Sequence, residues 1–267
     1  VNAAARWLEQ QAEAESAARL NNVRLQLPQE NPRNANAGQR LPIAILLHAL
    51  YCSVEGVSSH LGVPFERRRM LMLGKPGVGK SFVCKVLILL TRMTLGTRGA
   101  ATGGAPTGVA AFEAGLRTWH SLLKLPVGTQ FGKSFEGIGA PQEVQDALAA
   151  LFLLVGDELS MTGRTLFGWI AHRVRTGIAR GRGSDEPFGG ARLPFAVMCG
   201  DFHQLNPVFD VPLYKSDARS ANANYGRQAY LLFEDVVMLD EVMRQDASQV
   251  RLEREAGEDA VALSLEP

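Results

Sequence analysis

Apolar and polar positions along this chain keep switching between two periods. From Leu41 to His60 apolar residues recur at three- and four-residue spacing, the stripe of a helix with a buried face. Met70–Leu73 is a short unbroken apolar run, as in a strand covered on both faces. Lys80–Arg92 then returns to helical spacing through Phe82, Val83, Val86, Leu87 and Leu90. Next come a loop-rich segment around Gly103, Gly104 and Pro106, short helices over Val109–Ala114 and His120–Leu125, and a helix over Gln142–Ala150. Leu151–Val155, Pro194–Cys199 and Val236–Leu239 read as strands, Leu166–Ile178 as a helix, and the Gly/Arg-rich Ala179–Gly190 as a loop. Strands alternating with helices predict an α/β fold, a parallel sheet with helices on both faces. Ahead of it, Ala3–Leu20 reads as an exposed helix and Asn21–Gln39 as a linker. The expected organisation is therefore a helix and linker over 1–40 and one domain over 41–267.

Between the strand at Met70–Leu73 and the next helix, three glycines, a proline and two lysines interrupt the core. Gly74, Lys75, Pro76, Gly77, Val78, Gly79, Lys80 and Ser81 satisfy G-x-x-x-x-G-K-[ST], the pattern of a phosphate-binding loop. Glycine admits positive φ and close approach to a ligand, at an entropic cost that a plain surface turn would not need. Successive backbone N–H groups then form a concavity for a β-phosphate beside a helix N-terminus. Lys80 is expected to reach the β- and γ-phosphates, and the Ser81 hydroxyl to bind Mg²⁺.

Other strands run into polar residues, and in open α/β sheets ligands bind at the carboxyl ends of strands. These residues are therefore expected to gather round the loop. Leu151–Val155 leads to Asp157 and Glu158. A P-loop enzyme needs one acid to hold Mg²⁺ and a second to orient or deprotonate the attacking water. Pro194–Cys199 leads to Asp201, His203 and Gln204. A glutamine there can sense a γ-phosphate without titrating, and His203 reads equally as a structural residue. Arg244, after the last strand, is either a cation for the γ-phosphate or a surface charge.

Composition narrows the setting. A chain of 267 residues, 46% hydrophobic, can bury a proper core, and a net charge of +1 argues neither for nor against a nucleic-acid partner. Clusters at Arg67–Arg69 and at Arg173, Arg175, Arg180 and Arg182 read as solvated faces. Cys52, Cys84 and Cys199 lack metal-ligand spacing and read as core residues in a reducing compartment. The most apolar window, Leu41–Cys52, is too short to span a bilayer and contains His48, so no membrane is expected. No signal segment is recognised at the start, and an intracellular protein is expected, nuclear or mitochondrial in a eukaryote and otherwise cytoplasmic.

Together these residues resemble the Pif (petite integration frequency) family of superfamily 1 DNA helicases. The likeness runs from about Arg67 to Gln245. It is carried most by "APTGVAAFEAGLRTWHSLLKLPVG" at Ala105–Gly128, followed in order by "DELSM", "FGGARLPFAVMCGDFHQLNPV" and "LDEVMRQ". The resemblance implies a RecA-like P-loop domain that hydrolyses ATP with Mg²⁺ and grips single-stranded DNA. Asp157 would be the Mg²⁺ acid and Glu158 the catalytic acid. Gln204 would couple the γ-phosphate to DNA, and Arg244 would contact that phosphate. Pro106, Thr107 and Gly108, with Thr118 and His120, would face the DNA. It further implies 5′-to-3′ travel and roles in DNA repair, recombination and telomere maintenance, although transposon-borne helicases share the motifs. The family continues into a second RecA-like domain, which supplies another arginine and half of the DNA track. Its absence before Pro267 leads one to expect a fragment with weak activity, and the rival reading is a module that binds ATP and single-stranded DNA without turnover. A P-loop GTPase is disfavoured, because no Asn-Lys-x-Asp guanine reader occurs. Two departures stand out. Gly156 occupies a position where a larger apolar residue is usual, and the family's adenine-reading glutamine motif is not found between Leu41 and Arg69.

Overall fold

The first helix starts where a cap permits it. Asn36 accepts a hydrogen bond from the Gln39 backbone N–H (2.9 Å), and the Gln39 side chain accepts one from the Asn36 N–H (3.1 Å). This reciprocal capping box begins helix α1 (Ala37–Glu55) ahead of the expected Leu41, and Gly56, in the left-handed region at φ 65°, ends it. The computed structural model describes residues 32–60, 63–64, 67–128, 134–135, 137–179, 186–217 and 220–243. The expected helix over Ala3–Leu20, most of the linker, part of the loop after Ala179, Arg180, Arg182 and Arg244 lie outside the described residues.

A short antiparallel pair, β1 (Ser59–His60) and β2 (Val63–Pro64), precedes the main sheet. The chain then alternates: β3 (Arg68–Gly74), α2 (Lys80–Leu95), β4 (Ala101–Ala105), α3 (Gly108–Ala114), β5 (Arg117–Thr118) and α4 (Trp119–Leu123). There follow α5 (Gln142–Ala147), β6 (Leu153–Gly156), α6 (Arg164–Ala179), β7 (Phe195–Gly200), α7 (Ala221–Tyr230) and β8 (Asp235–Leu239). The sheet has six strands in the order β5-β4-β6-β7-β3-β8, and every pairing is parallel. Helices α1 and α2 cover one face through Leu46, Leu50, Val83 and Leu87. Helices α4 to α7 cover the other through Leu123, Val144, Phe167 and Ala229. Among the described residues no helix is long and apolar enough to cross a membrane.

Two expectations need correction, and one helix was not expected at all. The segment around Gly103 and Gly104 is not a loop but β4, an interior strand. Its glycines fit because neighbouring groups already fill the space: a Cβ on Gly103 would lie 2.7 Å from Val155 O, and one on Gly104 would lie 2.4 Å from the Trp119 ring. Helix α7 was unforeseen. It is capped by Ser220 and packs against α6 so tightly that a Cβ on Gly226 would overlap the Arg164 carbonyl. The arginine clusters are not simply solvated. Arg69 is only 4% exposed, its guanidinium donating to Arg68 O and Gly190 O, and burial lowers its pKa to about 9. Arg173, on α6, is also buried and donates to the Gly139 carbonyl. Both belong to elements packed inside the layers, where a guanidinium must find carbonyl partners.

Gly156 also finds its explanation here. Gly104 and Gly156 are register partners on β4 and β6, and the Trp119 indole lies against both. A Cβ on Gly156 would meet Met198 Sδ at 2.3 Å and Trp119 Cζ2 at 3.0 Å, so the tryptophan and the thioether occupy the room a larger residue would need. Gly104→Ala is expected to destabilise the fold by about 1–3 kcal/mol through overpacking. Trp119→Leu in the same chain should recover part of that loss, and urea unfolding midpoints check both.

Candidate functional site

The glycine loop joins the carboxyl end of β3 to the N-terminus of α2. Gly77 (φ 84°) and Gly79 (φ 83°) occupy the left-handed region, which a side chain would strain. Lys80 Nζ donates to Gly74 O (2.7 Å) and Lys75 O (3.1 Å), holding the ammonium within the loop. One residue on, Ser81 Oγ donates to Asp157 Oδ2 (2.9 Å). The loop and the end of β6, 76 residues apart in sequence, are thus in direct contact.

Asp157 is 5% exposed, and its second oxygen accepts from the Glu158 N–H (2.9 Å). Glu158 has left-handed backbone (φ 52°, ψ 51°), a conformation that costs a non-glycine residue roughly 1–3 kcal/mol and gathers at functional sites. Burial raises its pKa first and the neighbouring Asp157 charge second. Lys80 opposes the rise, while Glu113 and Asp201 add to it. A cavity of about 600 Å³ opens over these groups, lined by Gln39, Lys80, Ser81, Asp157, Glu158 and Gln204 among others. Arg244 is outside the described residues. Its neighbour Met243 lines the cavity and donates its backbone N–H to Gly77 O (2.8 Å).

The residues fit a magnesium nucleotide. The loop offers backbone N–H groups and a lysine for phosphate. A hydroxyl and a carboxylate, both hard oxygen donors, stand together where Mg²⁺ needs only one or two protein ligands besides phosphate and water.

The expected DNA-facing residues collect at the same edge of the sheet. Ala105 and Thr118 are register partners, so Pro106–Gly108 and Thr118–His120 leave β4 and β5 side by side. Thr107 Oγ accepts from Ala110 N (3.2 Å) and Thr118 Oγ from Ser121 N (3.2 Å), capping α3 and α4. Each hydroxyl can cap a helix as acceptor and still carry a proton to donate. Burial lowers the pKa of half-buried His120, which favours the neutral imidazole. Strand β4 also touches the acids, since the Asp157 N–H donates to Gly104 O (3.0 Å).

Cavity residues that the sequence did not reveal include Gln39, Lys85 and Glu113. Gln39 lies just upstream of Leu41–Arg69, the stretch in which no glutamine motif is found. Its Nε2 donates to Val78 O (2.9 Å) inside the loop, and the Asn36-x-x-Gln39 capping pattern was the available signal. Lys85, within the apolar spacing of α2, adds a second cation, and Glu113 on α3 adds a carboxylate. Neither has a sequence signal that separates it from a surface charge.

A parallel sheet covered by helices, with a glycine loop before α2 and an acid pair at the end of β6, defines a P-loop NTPase domain of the RecA-like kind. A family model described as PIF1-like helicase matches residues 61–262, most of the chain. The chain belongs to the PIF1-like helicase family.

Solved structures agree on the fold. Unliganded Pif1 from Bacteroides sp. superposes with a TM-score of 0.54 at 24% identity, over 80% of this chain and 43% of that one. A Pif1 structure on unwinding at forked double-stranded DNA gives 0.52 at 23%, over 79% and 45%. Bacteroides sp. Pif1 in complex with ADP-AlF4 gives 0.50 at 23%, over 80% and 44%. The chain thus spans less than half the length of these solved relatives. No curated protein matches it.

Gln39→Ala should leave Val78 O and the Asn36 N–H unpartnered, at about 1–3 kcal/mol if both stay buried. Lower thermal stability and weaker binding of a fluorescent ATP analogue are the expected results. Unchanged affinity would show that the loop needs no brace from α1.

Proposed function

We propose that this chain is the ATP-hydrolysing motor domain of a Pif-type DNA helicase, beginning with α1 and holding single-stranded DNA at the carboxyl ends of β4 and β5. The observation that carries the reading is the 2.9 Å contact between Ser81 and Asp157, with Glu158 held next to it in a strained conformation. In this reading the loop amides and Lys80 hold the β- and γ-phosphates. Ser81 and Asp157 hold Mg²⁺, which when bound neutralises charge on the phosphate oxygens. Glu158 orients the attacking water and takes its proton; burial and neighbouring carboxylates raise its proton affinity, which suits a base. Gln204, on the cavity wall after β7, meets the γ-phosphate, and Arg244 is proposed to join it. One of the solved Pif1 relatives binds ADP-AlF4, and the same class of ligand is proposed here.

The DNA contacts are proposed to be largely blind to sequence. Backbone amides of Thr107 and Gly108, two threonine hydroxyls and one ring suit phosphate and base-face contacts better than base-edge readout. Travel in the 5′-to-3′ direction, work in DNA repair, recombination or telomere maintenance, and an intracellular setting belong to the same proposal and rest on the family.

Exchanging the two acids tests the assignment. Glu158→Gln should keep Mg²⁺-dependent ATP binding and slow hydrolysis by about 10²–10⁴-fold, whereas Asp157→Asn should weaken the Mg²⁺-dependent binding itself. If the phenotypes are swapped, the metal and base roles are reversed.

A salt series tests the DNA contacts. His120→Ala should weaken oligo(dT) binding by about 1–3 kcal/mol if the ring stacks on a base. The slope of log affinity against log salt should stay unchanged, because a neutral ring releases no counterion. A shallower slope would mean that His120 binds as a cation.

A further inference from the structure

The turn expected to face DNA and the strand that carries the acids are joined by one side chain. Trp119 lies between Thr118 and His120, is 1% exposed, and heads the helix that Thr118 caps. Its indole projects back over the sheet onto two glycines that are register partners, Gly104 of β4 and Gly156 of β6. Built Cβ atoms would come within 2.4, 2.6 and 2.8 Å of the ring from Gly104, and within 3.0 Å from Gly156. Over Gly104 no side chain lies between ring and backbone, so a displacement of the ring bears directly on β4, whereas over Gly156 the ring shares the space with the Met198 thioether.

What those glycines lead to gives the contact its consequence. Gly156 immediately precedes Asp157. The Gly104 carbonyl accepts the Asp157 N–H (3.0 Å), and β4 continues into Pro106–Gly108. The indole thus bears on the backbone behind the acid that Ser81 contacts, and on the strand that leads to the other half of the DNA-facing edge. Close-packed interiors transmit such a shift instead of dissipating it.

We propose that Trp119 is a positioning residue that couples the strand-facing turn Thr118–His120 to the Asp157 carboxylate, so that single-stranded DNA and magnesium nucleotide each alter the other's affinity. It touches neither ligand. The inference rests on the nucleotide and DNA reading above and adds to it the residue that links the two.

Binding linkage in the whole 267-residue chain tests the idea, with oligo(dT) and a non-hydrolysed ATP analogue plus Mg²⁺ as probes. In the unchanged chain each probe should shift the other's dissociation constant by the same factor, about 5- to 150-fold. Trp119→Leu should bring that factor to within about twofold of unity while changing each separate affinity by less than about threefold. A second variant guards against simple loss of packing. Trp119→Leu combined with Gly156→Val refills the space from β6 itself, with the Met198 thioether free to give way. Its thermal stability should recover, but its linkage should stay lost, because valine does not bridge the strands to the turn. Linkage that returns with the refilled core overturns the proposal and leaves Trp119 a packing residue. Linkage that persists in Trp119→Leu, or two probes that bind the unchanged chain without mutual effect, also overturns it. Failure of the unchanged chain to bind oligo(dT) at all would remove the DNA reading and this proposal with it.

Discussion

The carboxyl edge of the sheet leaves almost no room for side chains, and the site depends on that constraint. Strands β3, β4, β6 and β7 each end on or beside a glycine: Gly74, Gly104, Gly156 and Gly200. A Cβ at these positions would run into Leu239 O, the Trp119 ring, Met198 Sδ and the Leu159 backbone, respectively. Glycine weakens a strand by giving up packing and adding unfolded-state entropy. Here the neighbours restore the packing, and the bare backbone lets successive turns close directly over the sheet. That closeness brings Ser81 to Asp157 and Trp119 to β4 and β6.

Within the space so defined, the polar groups are satisfied but not relaxed. Asp157 is buried with one oxygen on a hydroxyl and the other on a backbone N–H, as a buried carboxylate requires. Glu158 holds a left-handed conformation, and burial, then the adjoining acids, raise its proton affinity. Around the cavity Asp157, Glu158, Glu113 and Asp201 outnumber Lys80 and Lys85, so the carboxylates press on one another. The left-handed conformation of Glu158 persists because the surrounding packing enforces it.

The far side of the site shows how one part of the fold supports another. Helix α1 covers α2 and β8, and through Gln39 its first turn also braces the glycine loop. The Met243 N–H ties the chain after β8 to Gly77. The loop is therefore held from two elements remote in sequence, while the acids are held from β4 and β6.

Local pattern determined much of this protein. The unbroken apolar run before the loop, the helical spacing after it and the glycine, lysine and serine of the loop declare β3, the phosphate cradle and α2, because those features are properties of neighbouring residues. The acids at the end of β6 were legible for the same reason. The strand character of Gly103–Gly104 was not, since glycine reads as loop until Trp119, Leu116 and Val155 are seen to fill its space. Gln39 was missed because its partner, Val78, is 39 residues away. Arg69 and Arg173 read as surface charge until the layers closed over them. Only the tertiary structure decided which backbone carbonyls, rings and carboxylates would meet across strands, because those contacts are set by register and close packing between segments that no local period relates.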